Sequence, residues 1–233
     1  MANHLEKHEH YVQGKQNEVK TLFILESPGK TELEKGYPCA GPSGEVMSKA
    51  LLKISPVSDK AFGELIAGKD PNVVQYAIFD TFKFPLKKDD LKPGETLNES
   101  ESIWQNLKDV EQDSWQQCKK MGCHSAKITN KILELSRSAP SIFDEYKNTL
   151  GDCLKSFPNL EEIVVCGFIA QCMFKEYSGL SEWPYNKWIS WTHENDFFLR
   201  FVKHPRSCLD DKGNVIVKNG KVDWKYSKHR KNR

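Results

Sequence analysis

The 233-residue chain contains no apolar run long enough to span a membrane, and its opening stretch, MANHLEKHEHYVQGK, has no signal-peptide core. Both absences predict a cytoplasmic protein. Paired cysteines are missing too. Cys39, Cys118, Cys123, Cys153, Cys166, Cys172 and Cys208 form no Cys-x-x-Cys motif, which predicts free thiols rather than a disulfide framework. The stretch CKKMGCH, Cys118 to His124, could be half of a metal site, but no second half matches it, so no metal is expected. The sequence also lacks a true phosphate loop. Gly29-Lys30-Thr31 has the right last letters, yet the glycine needed five positions before Gly29 is replaced by Ile24. Pro28 removes a backbone donor such a cradle would use. Internal repeats are absent, and a net charge of +2 says little about partners.

The composition that remains is 38% hydrophobic and 28% charged, in the range of one soluble globular domain with a sizeable core. TLFILE (Thr21–Glu26), VVQYAIFD (Val73–Asp80) and EEIVVCG (Glu161–Gly167) are short continuous apolar runs that predict buried parallel strands. Phe197–Lys203 reads as a further strand, preceded by a strand and a polar turn. Helical spacing appears in SGEVMSKALLKI, with Ser43 as expected N-cap. It recurs around Ser102–Leu107, over Trp115–Leu135 with a break expected at Gly122, in SIFDEYKNTLGDCLKSF, and in FIAQCMFKEY. The alternation predicts a three-layer α/β/α sandwich with a central, mainly parallel four-stranded sheet. Expected boundaries are an N-terminal extension over 1–20, the α/β domain over 21–212, and a basic tail over 213–233. That tail carries an Asn-Gly hairpin signal, a run of Lys and Arg, and interleaved Trp224 and Tyr226. It reads either as a solubilising tail or as an electrostatic footprint on nucleic acid.

In folds of this class ligands collect outside the carboxyl ends of the strands. The strand ends here carry Glu26 and Ser27, Asp80, and His204. Each alone is an ordinary cap or turn residue. Four polar groups at one sheet edge are a candidate site.

At these residues the chain resembles the uracil-DNA glycosylase superfamily, nearest its family 4-like branch, over roughly residues 20–210. The first motif reads Leu25-Glu26-Ser27-Pro28-Gly29, Glu32, Gly36-Tyr37-Pro38-Cys39-Ala40-Gly41 and Ser43-Gly44. The second is an apolar strand ending in His204-Pro205, and EEIVVCGFIAQCMF resembles the strand, glycine and helix between them. The resemblance implies a DNA glycosylase that flips a nucleotide out of duplex DNA. It gives Glu26 the task of orienting or deprotonating water, with Ser27 a weak substitute for a water-positioning Asp or Asn. His204 would stabilise charge on the departing base, as oxyanion-hole donors do. Pro38 and Cys39 would flank the base. Gly29, Lys30, Ser43, Gly44, Lys83 and Ser207 would meet the DNA backbone, with glycines admitting its close approach. Arg206 or Leu209 would fill the gap left by the flipped base.

Three departures shape the expected substrate. Asp80 opens Asp80-Thr81-Phe82-Lys83 where the family pattern has an Asn that grips uracil. An amide serves uracil's O4 and N3–H together; a carboxylate accepts instead from the N4 amino group of cytosine. Cys39 replaces a stacking aromatic, which leaves room for a substituent on the base. The cysteines of the branch's iron–sulfur cluster are missing, so no cofactor is expected. The resulting expectation is a monomeric, monofunctional glycosylase acting on double-stranded DNA. Its substrate would be a modified cytosine, such as the glucosylated 5-hydroxymethylcytosine of phage genomes, excised in antiviral defence. Two other readings stay open: a uracil glycosylase of base-excision repair, and a catalytically silent DNA-binding protein.

Overall fold

A computed structural model describes residues 9–52, 60–117, 121–209, 216–218, 221–222 and 224. Its centre is a six-stranded sheet in the order β1-β3-β2-β4-β6-β5. The strands are β1 (Tyr11–Gln13), β2 (Thr21–Leu25), β3 (Tyr76–Asp80), β4 (Glu162–Cys166), β5 (Ile189–Thr192) and β6 (Asp196–Val202). The inner four run parallel, β3 beside β2, β2 beside β4 and β4 beside β6. They are the four apolar runs of the sequence; β2, β3 and β4 are buried at every residue, as strands covered on both faces must be. The sheet is nevertheless mixed and six strands wide. β1 pairs antiparallel with β3, and β5 pairs antiparallel with β6. β1 is three half-buried residues within the expected extension, too short to show a period, so the sheet begins ahead of residue 21.

The described helices are α1 (Lys30–Lys35), α2 (Pro42–Leu51), α3 (Phe62–Ala67), α4 (Glu99–Gln117), α5 (Met121–Ser138), α6 (Pro140–Ser156) and α7 (Phe168–Ser178). One core packs α4–α7 against one sheet face around Trp104, Tyr146, Phe174 and Phe201. A second, smaller core covers the other face around Phe23, Met47, Phe62 and Tyr76. Helices thus pack on both faces of a mixed six-stranded sheet, in place of the mainly parallel four-stranded sheet expected. Ser43 is not the cap of α2: Gly41 is, with Pro42 at the first helical position, where its missing N–H costs nothing.

Strands β7 (Val217–Lys218) and β8 (Lys221–Val222) pair antiparallel, as the Asn-Gly signal predicts. Trp224, one of the two aromatics interleaved with the basic run, is buried. Its ring tilts against Phe23 at 5.9 Å, and its indole N–H donates to the Lys203 carbonyl at 2.9 Å. Residues 225–233, with most of the basic run, lie outside the described residues, as do Cys118 to Lys120 of the CKKMGCH stretch. Cys39, Cys153, Cys166, Cys172 and Cys208 are buried and joined in no disulfide.

Candidate active site

A cavity of about 540 Å³ opens at the carboxyl ends of the four parallel strands. β2 supplies Leu25, Glu26 and Ser27, β3 supplies Asp80, β4 leads into Gly167 and Phe168, and β6 delivers Val202, Lys203 and His204. The strand ends are tied together. The Thr81 hydroxyl and N–H both donate to the Leu25 carbonyl, at 2.7 and 3.0 Å, and Phe82 N–H donates to the Glu26 carbonyl at 3.1 Å. Asp80 is held by its neighbour across β1. The imidazole Nδ1–H of His10 donates to the Asp80 carbonyl at 2.9 Å, and the Asp80 N–H donates to the His10 carbonyl at 2.7 Å.

Glu26 is only 7% exposed, and each carboxylate oxygen is engaged. Oε1 accepts the Ile169 N–H at the positive end of α7, at 3.2 Å. Oε2 accepts from Lys108 Nζ of α4, at 3.0 Å. Burial alone would raise this carboxyl. The Lys108 ammonium, the nearby His204, and the hydrogen bonds from Lys108 and Ile169 outweigh it, and the pKa falls below the ordinary carboxylate value. Lys108 also contacts Glu111, one turn on in α4. Burial pulls its ammonium down, but the two carboxylates outweigh that and hold it protonated. For Glu111 the balance runs the other way. Burial, then the Glu26 charge, push its carboxyl up to about 7 against the pull of Lys108 and Lys87.

Gly167 makes room for Glu26. It sits at φ +94°, and a Cβ there would lie 2.5 Å from Glu26 Oε1. Both the backbone angle and the close approach demand glycine.

His204 caps the short 3-10 turn Pro205–Cys208, and its Nδ1 accepts the Arg206 N–H at 3.1 Å. That bond places the imidazole proton on Nε2. Burial lowers the pKa of this histidine; Lys108 and Arg206 add to the effect, and Glu26 and Asp80 oppose it. His204 is thus a neutral donor at neutral pH.

Of the residues singled out from sequence, Glu26, Ser27, Gly29, Ser43, Asp80, His204, Arg206 and Ser207 line this one cavity. Lys30, Pro38, Cys39, Gly44, Lys83 and Leu209 do not. Cys39 is fully buried in the second core, its thiol 3.2 Å from the Met47 sulfur. The space expected beside it is closed. Gly44 and Gly63 answer to packing: a Cβ on Gly44 would overlap the Cys39 carbonyl, and one on Gly63 the Pro38 carbonyl. The Gly29 N–H is already given to Glu32 Oε2 at 2.5 Å. Lys83 pairs with Glu145 at 3.1 Å. Leu209 packs on the second core, leaving Arg206 as the exposed member of that pair at the cavity rim.

The sequence reading missed Lys108, Glu111, Phe168, Gln171 and Tyr185, all on the cavity wall. A signal for two of them was present. Trp104, Leu107, Lys108 and Glu111 stand at i, i+3, i+4 and i+7, one face of α4, so the two charges continue a stripe whose first members are fully buried. No protein-family model and no curated protein matches this chain.

Proposed function

We propose that the chain is a monofunctional DNA glycosylase that flips a modified cytosine out of duplex DNA and cleaves the bond between the base nitrogen N1 and deoxyribose C1′. The observation that carries this reading is the meeting of Glu26, Asp80 and a neutral His204, from three parallel strands, in one cavity. Negative charge develops on the departing base and positive charge on the sugar. The Nε2–H of His204 is the donor for base O2, already oriented by the bond from Arg206 to Nδ1. Glu26 faces the sugar cation. Because its pKa is depressed, it is a poor proton acceptor at neutral pH, so its role is to orient the water and oppose the positive charge. The water delivers hydroxide to C1′, and its remaining proton leaves with the neutral base. Lys108 is held protonated, which removes it as a nucleophile towards the sugar and makes an intact abasic site the product.

Asp80 sets the base preference. Its carboxylate accepts from the cytosine N4 amino group but offers nothing to uracil O4. Sites that hydrogen-bond a base edge discriminate by roughly 10⁴-fold or more against one that leaves them unpaired. A cavity of about 540 Å³ has room for more than a pyrimidine ring, within the range of ~300–1,000 Å³ that holds drug-sized ligands. Cys39 is not on the cavity wall, which includes Lys108 and Glu111 of α4 together with Leu86, Lys87 and Asp90. That room suits a 5-substituent as bulky as the glucosyl group of phage hydroxymethylcytosine, so the biological role proposed is restriction of phage DNA.

The test is a panel of duplexes carrying glucosylated hydroxymethylcytosine, cytosine or uracil, scored for alkali-labile breaks after incubation with the protein. Breaks confined to the modified duplex support the reading. Breaks at uracil alone convert it to uracil repair, and binding without breaks on any duplex leaves a silent DNA-binding protein.

A further inference from the structure

The cavity poses an electrostatic problem that Glu26 alone does not solve. A carboxylate opposes a sugar cation only if its own charge is uncompensated, and Lys108 lies 3.0 Å from Glu26 Oε2. That pair presents little net charge to the sugar. A second carboxylate, Glu111, reaches the same ammonium from the next turn of α4, is 7% exposed, and lines the same cavity. We propose that Glu111 is a positioning residue of the reaction: acting through Lys108, it returns to the site the negative charge that Lys108 takes from Glu26. The proposal rests on the glycosylase reading.

The groups facing Glu111 fix the expected behaviour. Lys108 stands on its own helix, Glu26 at the end of β2, and Lys87 and Asp90 lie on the segment after β3. From α7 comes Cys172, whose thiol burial holds uncharged. With Glu111 protonated, the trio of Glu26, Lys108 and Glu111 sums to zero. With Glu111 ionised, it sums to one negative charge, and Lys108 is shared rather than spent on Glu26. The carboxyl that makes the difference titrates at about 7, so the site gains its charge across neutral pH. No covalent step is added; only the field at the sugar changes.

The experiment compares single-turnover base release by wild type and Glu111→Gln between about pH 6 and about pH 8. Gln keeps the volume and an oxygen for Lys108 but cannot ionise. The wild-type rate should rise through neutrality, and the ratio of wild type to variant should widen by about tenfold, because a carboxyl at about 7 goes from roughly one-tenth to roughly nine-tenths ionised over that interval, while one full charge several ångströms away is worth more than tenfold. A ratio constant with pH would make Glu111 purely structural, and an unaltered variant would make it irrelevant; either overturns the proposal. A substrate-free measurement separates this failure from failure of the glycosylase reading. In protein labelled with ¹³C-carboxyl glutamate, one resonance should titrate near 7, vanish in Glu111→Gln, and move upward in Lys108→Met. Absence of that resonance overturns the proposal whatever the activity; its presence in a protein that releases no base overturns the enzymatic reading while leaving the charge trio intact.

Discussion

Replacing Gly167 by alanine isolates the fit between β4 and Glu26. The residue sits at φ +94°, ψ 159°, a region essentially reserved for glycine, where a side chain costs about 1–3 kcal/mol. The new Cβ would fall 2.5 Å from Glu26 Oε1, so the carboxylate must move off the Ile169 N–H. Losing a hydrogen bond to a charged group costs a further ~1.5–3 kcal/mol. Gly167→Ala should therefore destabilise by about 2.5–6 kcal/mol, read as a lower urea midpoint at unchanged slope. Base release should fall with it, because the carboxylate proposed to orient the water is displaced. Repeating the substitution in Glu26→Ala tests the cause: with no carboxylate to strike, only the backbone part, about 1–3 kcal/mol, should remain. An equal cost in both backgrounds, or no cost in either, would refute the account of why β4 ends in glycine.

His204→Ala should lower base release by at least ~100-fold with the melting temperature little changed, as loss of an oxyanion donor does; undiminished turnover would remove His204 from the site. Trp224→Ala should cost about 3–5 kcal/mol, because the ring is buried against Phe23. Removing only residues after Trp224 should instead weaken binding to every duplex alike and flatten its salt dependence. Changed base discrimination in that truncation would mean that the tail reaches the cavity. Glu111 also carries a pH-dependent stability. Its folded pKa of about 7 lies above the ordinary 4.5, so its contribution is complete below the lower value and is lost as pH rises through the upper. Glu111→Gln should abolish a decline of roughly 3 kcal/mol across that window, measured by urea unfolding at several pH values. A wild-type stability that does not depend on Glu111 there would contradict its raised pKa.

What sequence could show follows from how each element earns its stability. The inner strands are continuous apolar runs because both their faces are covered, so TLFIL and EIVVC are legible as they stand. The edge strand Tyr11–Gln13 is three residues held by pairing with β3, and pairing leaves no local period. Helix α1, KTELEK, buries only Leu33 and lies within a proline- and glycine-rich stretch that reads as loop. Glu26, Asp80 and His204 were legible because strand ends are fixed by the strands. Lys108 and Glu111 continue the buried stripe of α4, but a lysine and a glutamate three apart on a helix usually form a solvated pair, so the stripe alone does not assign them to a site. Only the packing of α4 over the strand ends turns that pair inward. Cys39 shows the converse. A residue chosen by motif position lies behind the cavity wall, at φ +58°, with its carbonyl accepting from the Gly63 N–H.

Asp80→Asn bears most directly on the central claim, that a carboxylate at the end of β3 reads a cytosine-type edge. The change swaps a carboxyl for an amide at nearly constant volume, setting a donor against the N4 amino group and offering uracil both a donor for O4 and an acceptor for N3–H. Asn is also a good turn residue, so a merely structural Asp80 would tolerate it. Release of modified cytosine and of uracil should be measured with this one variant. The account expects release of modified cytosine to collapse by ~100-fold or more, with uracil release appearing. Release of modified cytosine at the wild-type rate would contradict the assignment of Asp80 to the base, and with it the preference for cytosine over uracil.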